Sequence, residues 1–247
     1  MYNPFSLSGK TILITGASSG IGRATAIECS RMGAQCVITG RNKERLQQTC
    51  DALDGDGHLL IIADLSTQDG IDTLADAIPN IDGLVNNAGI GLNKPIAYIK
   101  QEDLEKTFQV NTFAPILLTK AILRKKKINK NGSIVFTSSI SAFGSNFGRA
   151  VYGASKSAIT TYMHYCAREL AGKPIRANAV HPAMTDTPLI YSGTLTEEDR
   201  QRDMMQYPLK RYAKPEEIAY AIIYLLSDAS SWTTGTSLIV DGGLSLL

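Results

Sequence analysis

The sequence predicts an α/β fold in which a mostly parallel sheet is covered by helices on both faces. Three observations carry this. Short β-branched runs alternate with longer helical patterns along all 247 residues. The runs are continuously apolar rather than alternating, as strands buried on both faces require. Strand–helix–strand order implies right-handed crossovers between parallel strands. The first strand is TILIT, Thr11–Thr15, and apolar residues near helical spacing follow over Ile21–Met32. Cys36–Thr39 is the second strand, with a polar helix from Asn42 to Leu53 after it. His58–Ala63 (HLLIIA) is the third strand, Ile71–Ile78 a helix, and Gly83–Val85 the core of a fourth strand. One long helical stretch runs from Gln101 to Lys126. Ser133–Thr137 (SIVFT) is the fifth strand, Val151–Ala171 a long helix and Ile175–Val180 the sixth strand. Pro215–Leu226 is the last helix and Ser237–Val240 the seventh strand. Residues 183–213 break the pattern, and a connection that long in a compact domain is usually a lid or a binding loop.

Composition narrows the function. A chain of 247 residues with 44% hydrophobic and 19% charged residues is too apolar to be disordered and is read as one domain, residues 1–247. With 25 Lys+Arg against 23 Asp+Glu, a net charge of +2 carries no electrostatic footprint for nucleic acid. No run approaches the ~18 apolar residues of a membrane span, and the N-terminus lacks the pattern of a secretion signal. Cys29, Cys36, Cys50 and Cys166 are scattered, without a C-x-x-C pair, and are expected to be buried free thiols in a reducing, cytoplasmic compartment. His58, His164 and His181 have no ligand spacing, so no metal is expected and they are read as satisfied structural residues.

Thr15-Gly16-Ala17-Ser18-Ser19-Gly20-Ile21-Gly22 follows the first strand directly. Glycines there allow a sharp turn and a close approach of phosphate to backbone N–H groups at a helix start. The spacing is G-x-x-x-G-x-G, not the common G-x-G-x-x-G, and no Lys-Ser/Thr follows as in a P-loop. Gly9-Lys10-Thr11 mimics the end of a P-loop but precedes the strand. The placement favours the pyrophosphate of a dinucleotide over an ordinary tight connection. The second strand ends at Thr39-Gly40-Arg41, where an acidic residue would bind the ribose 2′-hydroxyl of NAD and an arginine suits a 2′-phosphate. Arg41 therefore points to NADP(H) over NAD(H).

Tyr152 and Lys156 lie four residues apart in a helical stretch and share a face. An ammonium at ~4 Å, at an effective dielectric near 20, would favour phenolate by about 4 kcal/mol, roughly three pKa units. That would bring a phenol into the range of efficient acid–base catalysis. Ser139 closes the fifth strand at the carboxyl edge where such sheets bind ligands, and its hydroxyl can hold a substrate oxygen.

Thr15–Gly22, Asn86-Asn87-Ala88-Gly89, Asn111, Ser139 and Tyr152-Gly-Ala-Ser-Lys156 occur in order and at fitting spacing. The set closely resembles the short-chain dehydrogenase/reductase family, in its branch of about 250 residues. The resemblance implies a single-domain, Rossmann-type doubly wound sheet of strand order 3-2-1-4-5-6-7. It implies a catalytic set of Asn111, Ser139, Tyr152 and Lys156. Tyr152 would be the acid–base, Ser139 would position the carbonyl or alcohol, Lys156 would bind the nicotinamide ribose and lower the Tyr152 pKa, and Asn111 would anchor a water leading protons to Lys156. Ser138 is the rival for the serine role; the thirteen-residue separation of Ser139 from Tyr152 matches the family. Cofactor contacts would come from Gly16, Ser18, Ser19, Gly20, Ile21, Gly22, Arg41, Asp64 and Leu65 at the adenosine side. Asn87, Ala88, Gly89, Tyr152, Lys156 and Thr185 would complete them. The family usually has Pro-Gly where this chain has Pro182-Ala183; a positive φ there would strain Ala183.

The implied activity is NADP(H)-dependent interconversion of a ketone and a secondary alcohol. A 3-oxoacyl thioester on acyl carrier protein is one candidate substrate, for which Lys130 and Arg168 stand near the family's basic carrier-binding positions. The run Arg124–Lys127 beside Lys130 reads more simply as a solvated helix end. A hydroxysteroid, a sugar-derived alcohol or another small ketone fits equally, and a non-enzymatic NADP-sensing regulator is the alternative of another class. Tyr98, Phe143, Phe147, Met184, Tyr191, Met204, Met205 and Tyr207 could line a substrate cleft or belong to core and subunit contacts. The family commonly forms homotetramers or dimers, which the apolar ending Leu244–Leu247 would suit.

Overall fold

The computed structural model of the chain describes residues 2–144, 146–191 and 196–246. Seven strands are present among them: β1 (Thr11–Thr15), β2 (Gln35–Gly40), β3 (Leu59–Ile62), β4 (Ile81–Asn86), β5 (Ile128–Thr137), β6 (Arg176–Pro182) and β7 (Ser237–Val240). They form one sheet in the order β3-β2-β1-β4-β5-β6-β7. Each neighbouring pair is parallel, so the sheet is fully rather than mostly parallel. The helices are α1 (Gly20–Arg31), α2 (Lys43–Cys50), α3 (Gln68–Ala77), α4 (Gln101–Phe108), α5 (Ala114–Arg124), α6 (Ala150–Leu170), α7 (Pro188–Tyr191), α8 (Glu197–Met204) and α9 (Pro215–Leu226).

The period-2 geometry of a strand explains the continuously apolar runs, because successive side chains enter opposite cores. In β1, Leu13 joins the core packed by Leu74 of α3, Leu118 and Ile122 of α5, and Ile159 and Met163 of α6. Its neighbours Ile12 and Ile14 join the opposite core, with Ala26 and Cys29 of α1, Leu46 of α2, and Ile218 and Ile222 of α9. Strand β5 repeats the division, with Ile134 and Phe136 on the first side and Val135 on the second. Both cores are built from every other residue of the same strands. A register slip of one residue would therefore exchange the two sets of side chains between faces.

Thr15, buried at the end of β1, joins it to the segment after β4. Its hydroxyl donates to the Val85 carbonyl at 3.1 Å and accepts from Asn87 N at 2.9 Å and Ala88 N at 3.0 Å. At the other end of the strands Asp82 accepts from Thr11 N and from Asn129 Nδ2, both at 2.8 Å. The central strands are thus tied at both ends by side chains.

Several boundaries differ from the sequence reading. The stretch 101–126 is not one helix: a π-helical turn, Gln109–Phe113, separates α4 from α5. Strand β5 begins at Ile128, five residues before the predicted start, because it extends past the apolar run through the polar Asn129–Gly132. The segment 183–213 contains α7 and α8; α8 is polar enough to carry no core-facing stripe, and a Thr196–Asp199 capping pair sets its start. Residues 192–195 of that segment, and Leu247 of the apolar ending, lie outside the described residues. All four cysteines are free, but Cys50 is only half-buried. Among the described residues no His/Cys/Asp/Glu group has metal-binding geometry, and no helix is long and apolar enough to cross a membrane.

Candidate active site

The carboxyl ends of β1, β4, β5 and β6 open onto one edge of the sheet. Gly16 turns the chain out of β1 at φ +66°, and a Cβ there would lie 2.9 Å from Ala88 Cα. Gly22 is required by space instead: its Cβ would fall 2.3 Å from the Gly16 carbonyl and 2.4 Å from Asn87 Nδ2. Ser19 precedes α1 in an extended conformation, makes no side-chain cap, and no acidic residue occupies the first turn. The amides of that turn are therefore left for an external acceptor, which fits an anionic phosphate. Asn87 donates from Nδ2 to the Thr15 carbonyl at 3.0 Å, so its side chain braces the glycine turn.

The adenosine side is formed by the ends of β2 and β3. Gly40 closes β2, and a Cβ on it would sit 3.4 Å from Ser18 Oγ, so Ser18 faces this strand end. No carboxylate stands at that position. Arg41 follows, exposed and without an ion pair among the described residues. Asp64, after β3, accepts from Ser66 N at 3.0 Å and Ser66 Oγ at 2.8 Å. These bonds, aided by the Arg41 charge, hold its carboxyl below the ordinary value. Leu65 packs partly into the core beside α3. The Gly-rich turn, Ser18 and Arg41 together make a cradle whose donors suit a dinucleotide.

The chemical groups gather between β5 and α6. Lys156 is buried, and its Nζ donates to the Thr137 carbonyl at 2.8 Å. Burial pulls its pKa down to about 8. Ser138 is spent on packing: its hydroxyl contacts the Lys156 carbonyl at 3.1 Å and Thr160 Oγ1 at 2.9 Å. Ser139 Oγ accepts from Ser141 N at 3.1 Å, makes a long, 3.5 Å contact to the Pro182 carbonyl and is hydrogen-bonded to the Tyr152 phenol. Of the two serines, Ser139 is the one whose hydroxyl meets the Tyr152 phenol. Asn111 sits in the π-helical turn, accepting from Ile90 N at 2.8 Å and donating to the Ile90 carbonyl and Ser155 Oγ at 3.0 and 3.1 Å. A Cβ on Gly89 would lie 3.3 Å from Asn111 Oδ1 and 3.4 Å from Lys156 Nζ, so both converge on this glycine. Thr185 is buried beside the strand ends, with its hydroxyl on the Ala183 carbonyl at 3.2 Å. Ala183 is not among the described non-glycine residues with positive φ, so the expected strain does not arise.

One sequence expectation is corrected, the direction of the Tyr152 shift. Lys156 Nζ lies 5.8 Å from the Tyr152 ring centroid and donates to the Thr137 carbonyl. Burial raises the Tyr152 pKa above that of an ordinary tyrosine, outweighing the Ser139 hydroxyl and the Arg149 guanidinium, which lower it. Arg149 is a second cation at the ring, its Cζ 5.6 Å from the centroid. Sequence reasoning passed over it, although its place three residues before Tyr152 puts it on the same helix face.

His181 is a second correction. Its Nδ1 donates to the Ser139 carbonyl at 3.0 Å, but Nε2 has no partner among the described residues, so it is not a satisfied core histidine. Phe143 stacks on it at 4.5 Å. Of the proposed cleft side chains, Tyr207 belongs to the interior, its hydroxyl accepting from Met184 N at 3.3 Å. Tyr98, Phe143, Phe147, Tyr191 and Met205 are exposed.

A Lys156 pKa near 8 against an ordinary 10.5 means that the native state holds fewer protons than the unfolded chain between these values. Stability then rises with pH across that window, and at neutral pH the buried ammonium destabilises by about 3 kcal/mol. Lys156→Met, measured without nucleotide, should raise the denaturation midpoint at pH 7, with the gain shrinking toward pH 10. A variant destabilised at pH 7 would contradict this.

Comparison with known proteins places the geometry in a family. The family described as enoyl-(acyl carrier protein) reductase matches residues 16–245. The chain is 36% identical over 244 residues to the 3-oxoacyl-[acyl-carrier-protein] reductase of Thermotoga maritima, covering 96% of this chain and 98% of that protein. It is 34% identical over 246 residues to the L-xylulose reductase of Caenorhabditis elegans, covering 98% of each. A crystal structure titled as a putative NAD(P)-dependent gluconate 5-dehydrogenase from Beutenbergia cavernae, with bound NADP, superimposes with a TM-score of 0.91 at 31% identity, over 99% of this chain and 100% of that one. With its full-length match, its strand order and its glycine turn, the chain belongs to the short-chain dehydrogenase/reductase family of NAD(P)-dependent oxidoreductases.

Proposed function

We propose that the protein interconverts a ketone and a secondary alcohol with NADP(H). The observation that carries this is the joint placement of the Ser139 hydroxyl, hydrogen-bonded to the Tyr152 phenol, and the buried Lys156 ammonium at the carboxyl edge of the sheet. Gly16–Gly22 would hold the pyrophosphate, Ser18 and Arg41 the 2′-phosphate, and Asp64, Leu65, Asn87, Ala88, Gly89 and Thr185 the remaining faces. When bound, the cofactor supplies or accepts the hydride at the carbonyl carbon. In reduction Tyr152 gives its proton to the carbonyl oxygen, and Ser139 holds that oxygen by a hydrogen bond. Lys156 supplies positive charge beneath the site and binds the nicotinamide ribose. Asn111 joins the Gly89–Ile90 segment to α6 and holds the path by which protons return to Lys156.

The preference for NADP(H) rests on the end of β2, where Gly40 offers no carboxylate to a 2′-hydroxyl and Arg41 offers a cation to a phosphate. The small-ketone reading draws on the L-xylulose reductase and gluconate dehydrogenase relatives. A 3-oxoacyl group on acyl carrier protein is the second reading. It draws on the 3-oxoacyl-[acyl-carrier-protein] reductase relatives and on Lys130 and Arg168, both exposed and without an ion pair among the described residues. Free thiols suit a cytoplasmic protein, and exposed apolar side chains such as Trp232 suit a homo-oligomer, tetramer or dimer.

Tyr152→Phe should lower kcat by about 10²–10⁴-fold, the range of general acid–base catalysis, with NADPH affinity within a few-fold of wild type. Retained turnover would remove Tyr152 from the mechanism, and inactivity of the wild type on every ketone and acyl thioester would favour a nucleotide-binding regulator. Arg41→Asp should move the ratio of NADP to NAD efficiencies toward NAD by about 10-fold or more, since hydrogen bonds to charged groups carry about 1.5–3 kcal/mol. An unchanged ratio would refute the 2′-phosphate assignment.

A further inference from the structure

Arg149 is a cation in the active site without an assigned task. Its guanidinium carbon lies 5.6 Å from the Tyr152 ring centroid. A Cβ built on Gly91 would lie 3.6 Å from its Nη1 and 3.5 Å from Leu189 Cδ1. The guanidinium therefore stands where the segment after β4, the helix α7 and the start of α6 meet, beside the Tyr152 ring. No carboxylate among the described residues pairs with it. The neighbouring cation, Lys94, is already neutralised by Asp103 at 2.5 Å.

The backbone that carries Arg149 is fixed. Gly148 takes φ +77°, and a Cβ there would meet Asn93 Oδ1 at 2.2 Å. The Gly148 carbonyl accepts from Lys94 N at 2.8 Å, and the Arg149 carbonyl accepts from Gly153 N at 2.7 Å. A half-buried arginine on a pinned turn, with five N–H donors and no acid, is an unfilled anion receptor. Its planar fork matches a carboxylate in two parallel hydrogen bonds.

We propose that Arg149 selects substrates that carry a carboxylate a few bonds from the reacting carbonyl, so that the preferred substrates are short oxo acids and the corresponding hydroxy acids. This rests on the assignment of Tyr152 as acid–base, because that places the carbonyl at the phenol. The separation of about one ring width between phenol and guanidinium limits the reach. An anion at the far end of a long acyl carrier arm would not meet Arg149 while its carbonyl meets Tyr152.

The test compares kcat/KM for 2-oxobutanoate, 3-oxobutanoate and 4-oxopentanoate with that for the methyl ester of each, in the wild type, Arg149→Gln and Arg149→Lys. The wild type should prefer at least one acid over its ester by tenfold or more. Arg149→Gln should reduce that acid-to-ester ratio by about 10–100-fold, through a higher KM for the acid, as expected for loss of charge-assisted hydrogen bonds. Arg149→Lys should give an intermediate ratio, which also shows that a folded site survives substitution. Turnover of esters as efficient as that of acids, with the ratio unchanged in Arg149→Gln, would overturn the proposal while leaving the ketoreductase reading intact. Absence of turnover with every acid, ester and neutral ketone would overturn that reading, and this proposal with it.

Discussion

The burial of the Lys156 ammonium against the Thr137 carbonyl is the interaction on which the site depends. A lysine taken out of water loses hydration that a single carbonyl does not fully replace, and its pKa falls to about 8 in consequence. The surrounding structure exists to hold it there. Strand β5 delivers Thr137 at the sheet edge, α6 delivers Lys156 from the first core, and Ser138 and Thr160 take up the Lys156 carbonyl. The charge cannot relax outward, so it remains poised beneath the cleft. In the proposed reaction, the destabilised ammonium stands where a negatively charged ligand and a developing alkoxide would need a cation.

From this arrangement the division of labour between the charged groups follows. Lys156 is held by the backbone of β5 with its Nζ 5.8 Å from the Tyr152 ring centroid, and Arg149 Cζ stands 5.6 Å from the same centroid. The phenol has its pKa raised by burial, so it holds its proton at neutral pH. Ser139 and His181 belong to the same unit. The His181 ring fixes the Ser139 carbonyl, while the Ser139 hydroxyl meets the Tyr152 phenol. The group proposed for the adenosine end, Ser18, Gly40 and Arg41 on β2 and its neighbours, is separate from these residues.

Most of the fold is legible in the sequence because both cores are fed by the same strands, and a continuous apolar run such as ILI in β1 has no other use. The turn glycines are legible for a similar reason, since Gly16 and Gly22 leave no room for a Cβ. The π-helical turn at Gln109–Phe113 is not legible. Its residues have ordinary helical character, and the distortion comes from Asn111 reaching both Ile90 and Ser155. Helix α8 is missed because it is polar throughout and its only signal is the Thr196–Asp199 cap. At the site, residue types and spacing locate Ser139, Tyr152 and Lys156, but not their distances. A four-residue spacing brings Lys156 to the correct face, yet the carbonyl of Thr137, remote in sequence, decides where its ammonium points. Arg149 is overlooked for the opposite reason: its neighbour in space is its neighbour in sequence, and only the absence of an acidic partner marks it.

The central claim is that Lys156 is held buried and destabilised as an ammonium. It is tested most directly by an NMR pH titration of the chain labelled with 13C at lysine Cε, with the Lys156 resonance assigned from its loss in Lys156→Met. The account predicts one lysine titrating near pH 8, well below the ordinary lysine range. A Lys156 resonance titrating at the ordinary lysine value near 10.4 would contradict it.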